Sequence, residues 1–258
     1  MSFRNQVTFL TVFMVFLTMQ GCAGKVSKPS RATIPGVSGH FKVGQILDLK
    51  TGKVLSFDQL IDQIASKEII FIGEVHDNPE HHLIQAQIIQ ALMGRFSLVT
   101  IAMEFFQKSQ QPSLDRYLQR ELTESEFLKE VDWKGRWGFD YHFYRPLVLS
   151  ARQHGSRILA INAPNDIVKK VAREGLKGLD ENERKKLPKE IDLSNKAHRA
   201  YLREIYEKHS HNDLKKFETF YEAQCVWEDT MAHNLAEHLS QNKRKLVVFT
   251  GIGHIVNK

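Results

Sequence analysis

The chain has 258 residues, enough for one sizeable domain with a small appendage and too few for several. A composition of 42% hydrophobic and 26% charged residues is that of a globular protein and excludes a disordered or fibrous chain. The net charge of +6 arises from 36 basic residues interspersed with 30 acidic ones, without a long basic tract, which argues against a nucleic-acid partner.

Arg4 precedes an apolar run from Val7 to Met19 that is too short to cross a bilayer comfortably, and Gln20-Gly21-Cys22 follows at once. Residues 1–21 therefore read as a signal peptide. The Gly-Cys ending resembles a bacterial lipobox, which implies lipidation of Cys22, and Ala23 after it resembles lipoproteins sorted to the outer membrane. An uncleaved anchor is the alternative. With Cys22 lipidated, Cys225 stands alone and no internal disulfide can form. Residues 22–40, rich in Ser, Gly, Pro and Lys, read as a flexible tether, leaving residues 41–258 as the folded domain.

Gly44 to Leu49 is a candidate first strand, turned by Thr51-Gly52, and Ser56 is placed to cap a helix over residues 57–66. Ile69 to Ile72 form a continuous apolar run of the kind buried on both faces of a sheet, broken at Gly73. Beyond it come Glu74, His76 and Asp77, and then Asn78-Pro79, an N-cap and a first-turn proline. The helix they open runs to Arg95, with Leu83, Ile84, Ile88, Ala91 and Leu92 on one face. Leu98 to Met103 is a second apolar strand, ending on Glu104. Short helices are expected near 113–121 and 124–131, the second opened by a Thr123-x-x-Glu126 capping box.

The stretch from Trp133 to Tyr144 is dense in aromatic rings and fits either packing on the core or the wall of a pocket. Arg145-Pro146 leads a helix to His154, and Arg157 to Asn162 is a third strand. Residues of about 165–212 are charged and helical in period, a smaller helical subdomain. A long helix over about 213–239 carries Gln224 and Glu228 in an otherwise apolar stripe, which suggests that both look into a polar pocket. Leu246 to Thr250 is a fourth strand, closing on Gly251-Ile252-Gly253-His254.

Four apolar strands separated by helices predict an α/β fold: a mostly parallel sheet flanked by helices, plus the helical subdomain. Ligand sites in such sheets lie outside the carboxyl ends of the strands. That rim would gather Glu74, His76, Glu104, Asn162 and His254, with Gln224 from the long helix. Buried carboxylates need protonated histidines or a metal beside them, so His76 and His254 are either the cations or the ligands of a divalent metal. Taken singly, Glu74 also fits a structural ion pair and His76 a satisfied loop histidine.

Gly73-Glu74-Val75-His76-Asp77, His81-His82, Met103-Glu104, Tyr144-Arg145-Pro146, Asn162-Ala163-Pro164, Ala223-Gln224 with Trp227 and Thr230-Met231-Ala232, and Gly251-Ile252-Gly253-His254 occur in an order that resembles the ChaN family of haem-binding lipoproteins. That family is similar to a wider group holding Tiki-type metalloproteases and erythromycin esterases, which share a Gly-x-x-His pair and an intervening glutamate. The resemblance implies haem at a homodimer interface, a tyrosine on the iron, a histidine near the propionates, and a role in haem and iron acquisition with outer-membrane transport components. Tyr201, Tyr206, His209 and His211 are the candidates for the haem, with Tyr144, Tyr141 and His142 as rivals. Relatives commonly continue where this chain stops, at Lys258. The alternative function is a metal-dependent or Glu/His-dependent hydrolase using Glu74, His76, Glu104 and His254. A serine mechanism is unsupported, because no Gly-x-Ser-x-Gly is present, and the lack of Cys-x-x-Cys-His excludes a covalent c-type haem.

Overall fold

A computed structural model describes residues 31–34, 37–209, 216–242 and 244–255. The expected signal peptide, Cys22 and His211 lie outside the described residues. The chain divides into two units, residues 1–55 and 56–258. In the first, β1 (Arg31–Ile34) pairs antiparallel with β2 (Val37–Lys42), and β3 (Ile46–Asp48) with β4 (Lys53–Leu55). The Thr51 hydroxyl donates to Asp48 in the β3–β4 turn, and Gly52 takes the left-handed φ of +70° there. Residues 31–34 and 37–40 are thus strand where a featureless tether was expected.

The second unit alternates helix and strand. Ser56 caps α1 (Phe57–Ala65) in a reciprocal capping box with Gln59. β5 (Ile69–Glu74) follows, then α2 (Pro79–Arg95), whose Asn78 side chain accepts from the Glu80 and His81 amides. β6 (Val99–Gln107) leads into α3 (Gln111–Leu118), α4 (Glu124–Glu130) with its Thr123 capping box, α5 (Trp133–Arg136) and α6 (Tyr141–His154). β7 (Ile158–Asn162) precedes α7 (Asn165–Glu174), α8 (Glu181–Arg184), α9 (Lys196–His209) and the long α10 (Phe217–Gln241). β8 (Lys245–Gly251) is the last strand described.

The four strands β5 to β8 form one parallel sheet in the order β5-β8-β6-β7. The last strand therefore inserts between the first two, and its carboxyl end emerges between theirs. One face carries a large core that includes Ile70, Ile89, Leu92, Phe106, Tyr144 and Phe249. The other is covered by α10, whose Met231 and Leu235 pack on Ala102, Leu159, Ile161, Leu246 and Val248.

Two expectations about the parallel sheet need correction. β5 is an edge strand, and on its α10 side Ile69 and Phe71 remain 38% and 50% exposed; an apolar run does not reveal which strand ends up at the edge. β6 does not stop at Met103. It continues to Gln107 through an irregularity in its pairing with β7 between Met103 and Gln107, so Glu104 sits within the strand at a bulge. Bulges of this kind re-aim side chains beside functional sites.

Candidate functional site

Glu74 ends β5 almost wholly buried, and such a group requires partners. Its Oε2 accepts from Gln85 Nε2 at 2.8 Å, its Oε1 accepts from the Tyr144 hydroxyl at 3.2 Å, and His76 Nδ1 lies 2.9 Å from Oε1. With Nδ1 turned onto Glu74, the His76 ring presents Nε2 to the opposite side. His82 Nε2 meets the His76 carbonyl at 3.0 Å, and because a carbonyl only accepts, that nitrogen carries the proton. These demands reset α2. Its inward face holds His82 and Gln85 in addition to Ile88, Ile89 and Leu92, whereas Leu83, expected inward, is 65% exposed.

Glu104 is the second buried carboxylate. Its Oε2 accepts from the Thr250 hydroxyl and from the Gly251 amide at 2.7 Å, and its Oε1 lies 3.4 Å from His254 Nε2. His254 Nδ1 lies 3.4 Å from Glu228 Oε1, and Glu228 Oε2 is 3.2 Å from His198 Nε2 on α9. A chain of alternating acids and imidazoles thus runs from β6 through the turn after β8 and α10 to α9. Burial alone would discharge His254, but the hydrogen bonds and charges of Glu104 and Glu228 outweigh it and lift its pKa to about 9. Burial would likewise protonate Glu104, yet His254, Thr250 and the Gly251 amide hold its pKa below the usual carboxylate value.

The glycines that open the two Gly-x-x-His motifs make room for each other's motif. A Cβ on Gly251 would stand 2.9 Å from His76 Cε1 and 3.0 Å from His76 Nε2. A Cβ on Gly73 would stand 2.7 Å from Ile255 Cδ1 and 3.2 Å from the Ile252 Cα. Because β8 lies beside β5, the strand-end loops cross at close range, and any side chain there would push them apart.

His76, Glu104, Asn162, Gln224 and His254 all line one cavity of about 290 Å³ at the carboxyl rim of the sheet. Glu74 stands behind His76 as the group that orients it. The aromatic stretch divides between both expected roles. Trp133, Tyr141 and Tyr144 are core residues, while Trp137 and Phe139 wall the cavity, with ring centroids 4.9 and 5.1 Å from that of His76. Arg136 lines the mouth and donates to Gln107 Oε1 at 3.1 Å. On its other side, His254 also borders an apolar groove of about 390 Å³ beneath α10.

Two histidines facing one small cavity, each set by a buried carboxylate, can take and give protons. The alternative of a divalent-metal site finds no support: among the described residues no group of three or more His, Cys, Asp or Glu side chains is arranged for a metal. Both ring nitrogens of His254 face carboxylates, so neither is offered to a cation.

The chain has six tyrosines. Tyr117, Tyr141, Tyr144 and Tyr221 are buried, and only Tyr201 and Tyr206, both on α9, reach the surface in part. Tyr144 is thereby corrected as a candidate for a bound group. Its hydroxyl is spent on Glu74, and burial together with the Glu74 charge pushes its pKa well above the phenol range. Tyr141 is held up in the same way, mainly by burial. His142 is exposed and paired with Asp140 at 2.8 Å. His209 ends α9, and its side chain lies outside the described atoms.

Sequence reasoning missed His198, Gln85, Thr250 and Arg136. Gln85 and His82 share one face of α2 and could have been paired with Glu74 on that ground. His198, in a charged helix without an apolar flank, gave no signal.

ChaN of Campylobacter jejuni, described with cofacially bound haem, superposes with a TM-score of 0.63 at 21% identity over 80% of this chain and 79% of that one. At that identity the likeness shows a shared fold. An erythromycin esterase reaches a TM-score of only 0.45 at 15% identity, over 76% of this chain and 64% of its own. RETICULATA-RELATED 5, a chloroplastic protein of Arabidopsis thaliana, is 25% identical over 131 residues, 48% of this chain. The chain spans 17% of that plant protein's length. The family described as haem-binding uptake, Tiki superfamily, ChaN matches residues 60–258, and the chain belongs to it.

Proposed function

We propose that this protein is a lipid-anchored haem-binding protein of haem and iron acquisition, holding haem through a tyrosine of α9 at a homodimer interface. Family membership supports haem as the ligand. The observation that carries the site is the exclusion of four tyrosines by burial, which leaves Tyr201 and Tyr206 as the phenols that an iron could meet. Acylation of Cys22 would attach the chain to the outer membrane, within reach of haem and iron transport components there.

The fit to haem is a surface fit. The rim cavity of about 290 Å³ is at the lower bound of small-molecule sites and too small to enclose a tetrapyrrole. The α9 surface offers what a plate-like dianion needs. Tyr206 packs on Phe217 and Phe220, with centroids 5.6 and 5.4 Å apart, and Arg203 lies over the Phe217 ring at 4.0 Å. Tyr201 or Tyr206 would hold the iron, and Arg199 and Arg203, which now share Glu218, would meet the propionates. Bound haem would supply an iron centre able to take a phenolate oxygen from either tyrosine. The cofacial haems of the Campylobacter protein support a dimer that brings two such surfaces together.

Hemin titrated into the full chain should bind saturably, and light scattering should record two chains per particle once hemin is added. Absence of saturation at every concentration tested would remove the reading. Growth with radiolabelled palmitate should label the wild type and leave Cys22→Ser unlabelled.

A second reading, Glu/His-dependent hydrolysis, is favoured by one observation: the His76 Nε2 edge, freed by Glu74, faces the same cavity as His254 and Arg136. His76 would take a proton from water while Arg136 meets the negative oxygen that forms. Turnover of an ester panel that disappears in His76→Gln would support it, and no turnover by the wild type would end it.

A further inference from the structure

We infer that a second cavity, at the carboxyl ends of β6 and β7, is a binding site for a phosphate group. It measures about 370 Å³ and draws Lys108 and Ser109 from the turn after β6, Lys185 and Lys186 from the segment after α8, and Thr230 and His233 from α10. None of its described lining residues is acidic. Lys108 is engaged by Glu237 at 2.9 Å, and Glu183 of α8 is held by Lys170 at 2.8 Å. Lys185 and Lys186 are therefore the cations that would meet an anion.

An independent observation points the same way. Thr230 is 4% exposed, and among the described residues its hydroxyl has no hydrogen-bond partner. A buried hydroxyl without a partner is costly, and such groups are ordinarily satisfied. Here the hydroxyl belongs to a residue of the cavity wall, where a bound oxygen would accept from it. The position is also where open parallel sheets bind ligands.

A phosphate suits this wall better than a carboxylate does. The donors come from three separate segments and so approach from different sides, which matches a tetrahedral group with several acceptor oxygens and close to two charges. Lysines serve such a group as point charges without demanding planar geometry. The phosphate could belong to a soluble phosphomonoester or to an anionic lipid headgroup.

The test is calorimetric titration of the full chain with inorganic phosphate in one arm and a soluble short-chain phosphatidic acid in the other. The wild type should bind at least one of them saturably; binding of the lipid alone assigns a headgroup, and binding of phosphate assigns a soluble source. Lys185→Gln/Lys186→Gln should weaken the affinity by about ten-fold or more. Thr230→Val should weaken it similarly, while its Tm without ligand stays level or rises, because the change removes an unsatisfied hydroxyl. The proposal is overturned if neither ligand saturates, or if both variants bind as the wild type does.

Discussion

His254 stands between two carboxylates, and its charge is what makes their burial tolerable. Its pKa of about 9 in the folded chain exceeds the ordinary histidine value of 6.5, so its contribution to stability is full below pH 6.5 and lost as the pH rises through 9. Urea unfolding should show the wild type losing up to about 3 kcal/mol across that window, while His254→Gln stays nearly flat. Glu104 has the opposite sign: its lowered pKa gives stability that is present above 4.5 and lost as the pH falls further. The two shifts describe one interaction and do not add.

Glu74 tests the other half of the rim. Glu74→Ala leaves Gln85 and Tyr144 without their acceptor and His76 without its orienting group, at a cost of about 3 kcal/mol. Tyr144→Phe removes one donor and should cost about 1 kcal/mol in the same unfolding assay.

Among the elements, the helices with local punctuation were legible. Ser56 with Gln59, Asn78 with Pro79, and Thr123 with Glu126 each fix a helix start through side-chain capping, which depends on neighbours in sequence alone. Asn78→Ala should therefore cost about 1 kcal/mol, read from thermal unfolding. The strand ends were less legible. The bulge that carries Glu104 and the edge position of β5 are set by which strands become neighbours, and an apolar run does not encode that. α6 begins at Tyr141, ahead of the expected Arg145, because Asp140 caps it and Pro146 is accommodated inside. For the site, an apolar run ending in Glu or His revealed Glu74, His76, Glu104 and His254. The burial of Tyr144 was not encoded by any such spacing. Gly251→Ala checks the crossing of the two motifs: the new methyl collides with His76, so a nuclear magnetic resonance titration should show the His76 ring displaced.

At the scale of the whole molecule, strand order decides what can meet. β8 lies between β5 and β6, so Gly251 to His254 emerges between Glu74 and Glu104, and the rim cavity exists only once the last strand is in place. A chain of ion pairs from His254 through Glu228 to His198 links the rim to α9, yet the chemistry of the two differs: acid–base groups at the rim, phenols and guanidiniums on α9. Variants at the rim should accordingly spare haem. His76→Ala should leave hemin affinity within about two-fold of wild type, a change below about 0.5 kcal/mol.

The central claim, that haem is held by an α9 tyrosine, is tested most directly by the visible spectrum of the ferric complex. The wild type should show a tyrosinate-to-iron charge-transfer band, and that band should vanish in Tyr201→Phe or in Tyr206→Phe while Tyr144→Phe retains it. A band that survives in the Tyr201→Phe/Tyr206→Phe double variant, or one abolished by Tyr144→Phe alone, would contradict the account.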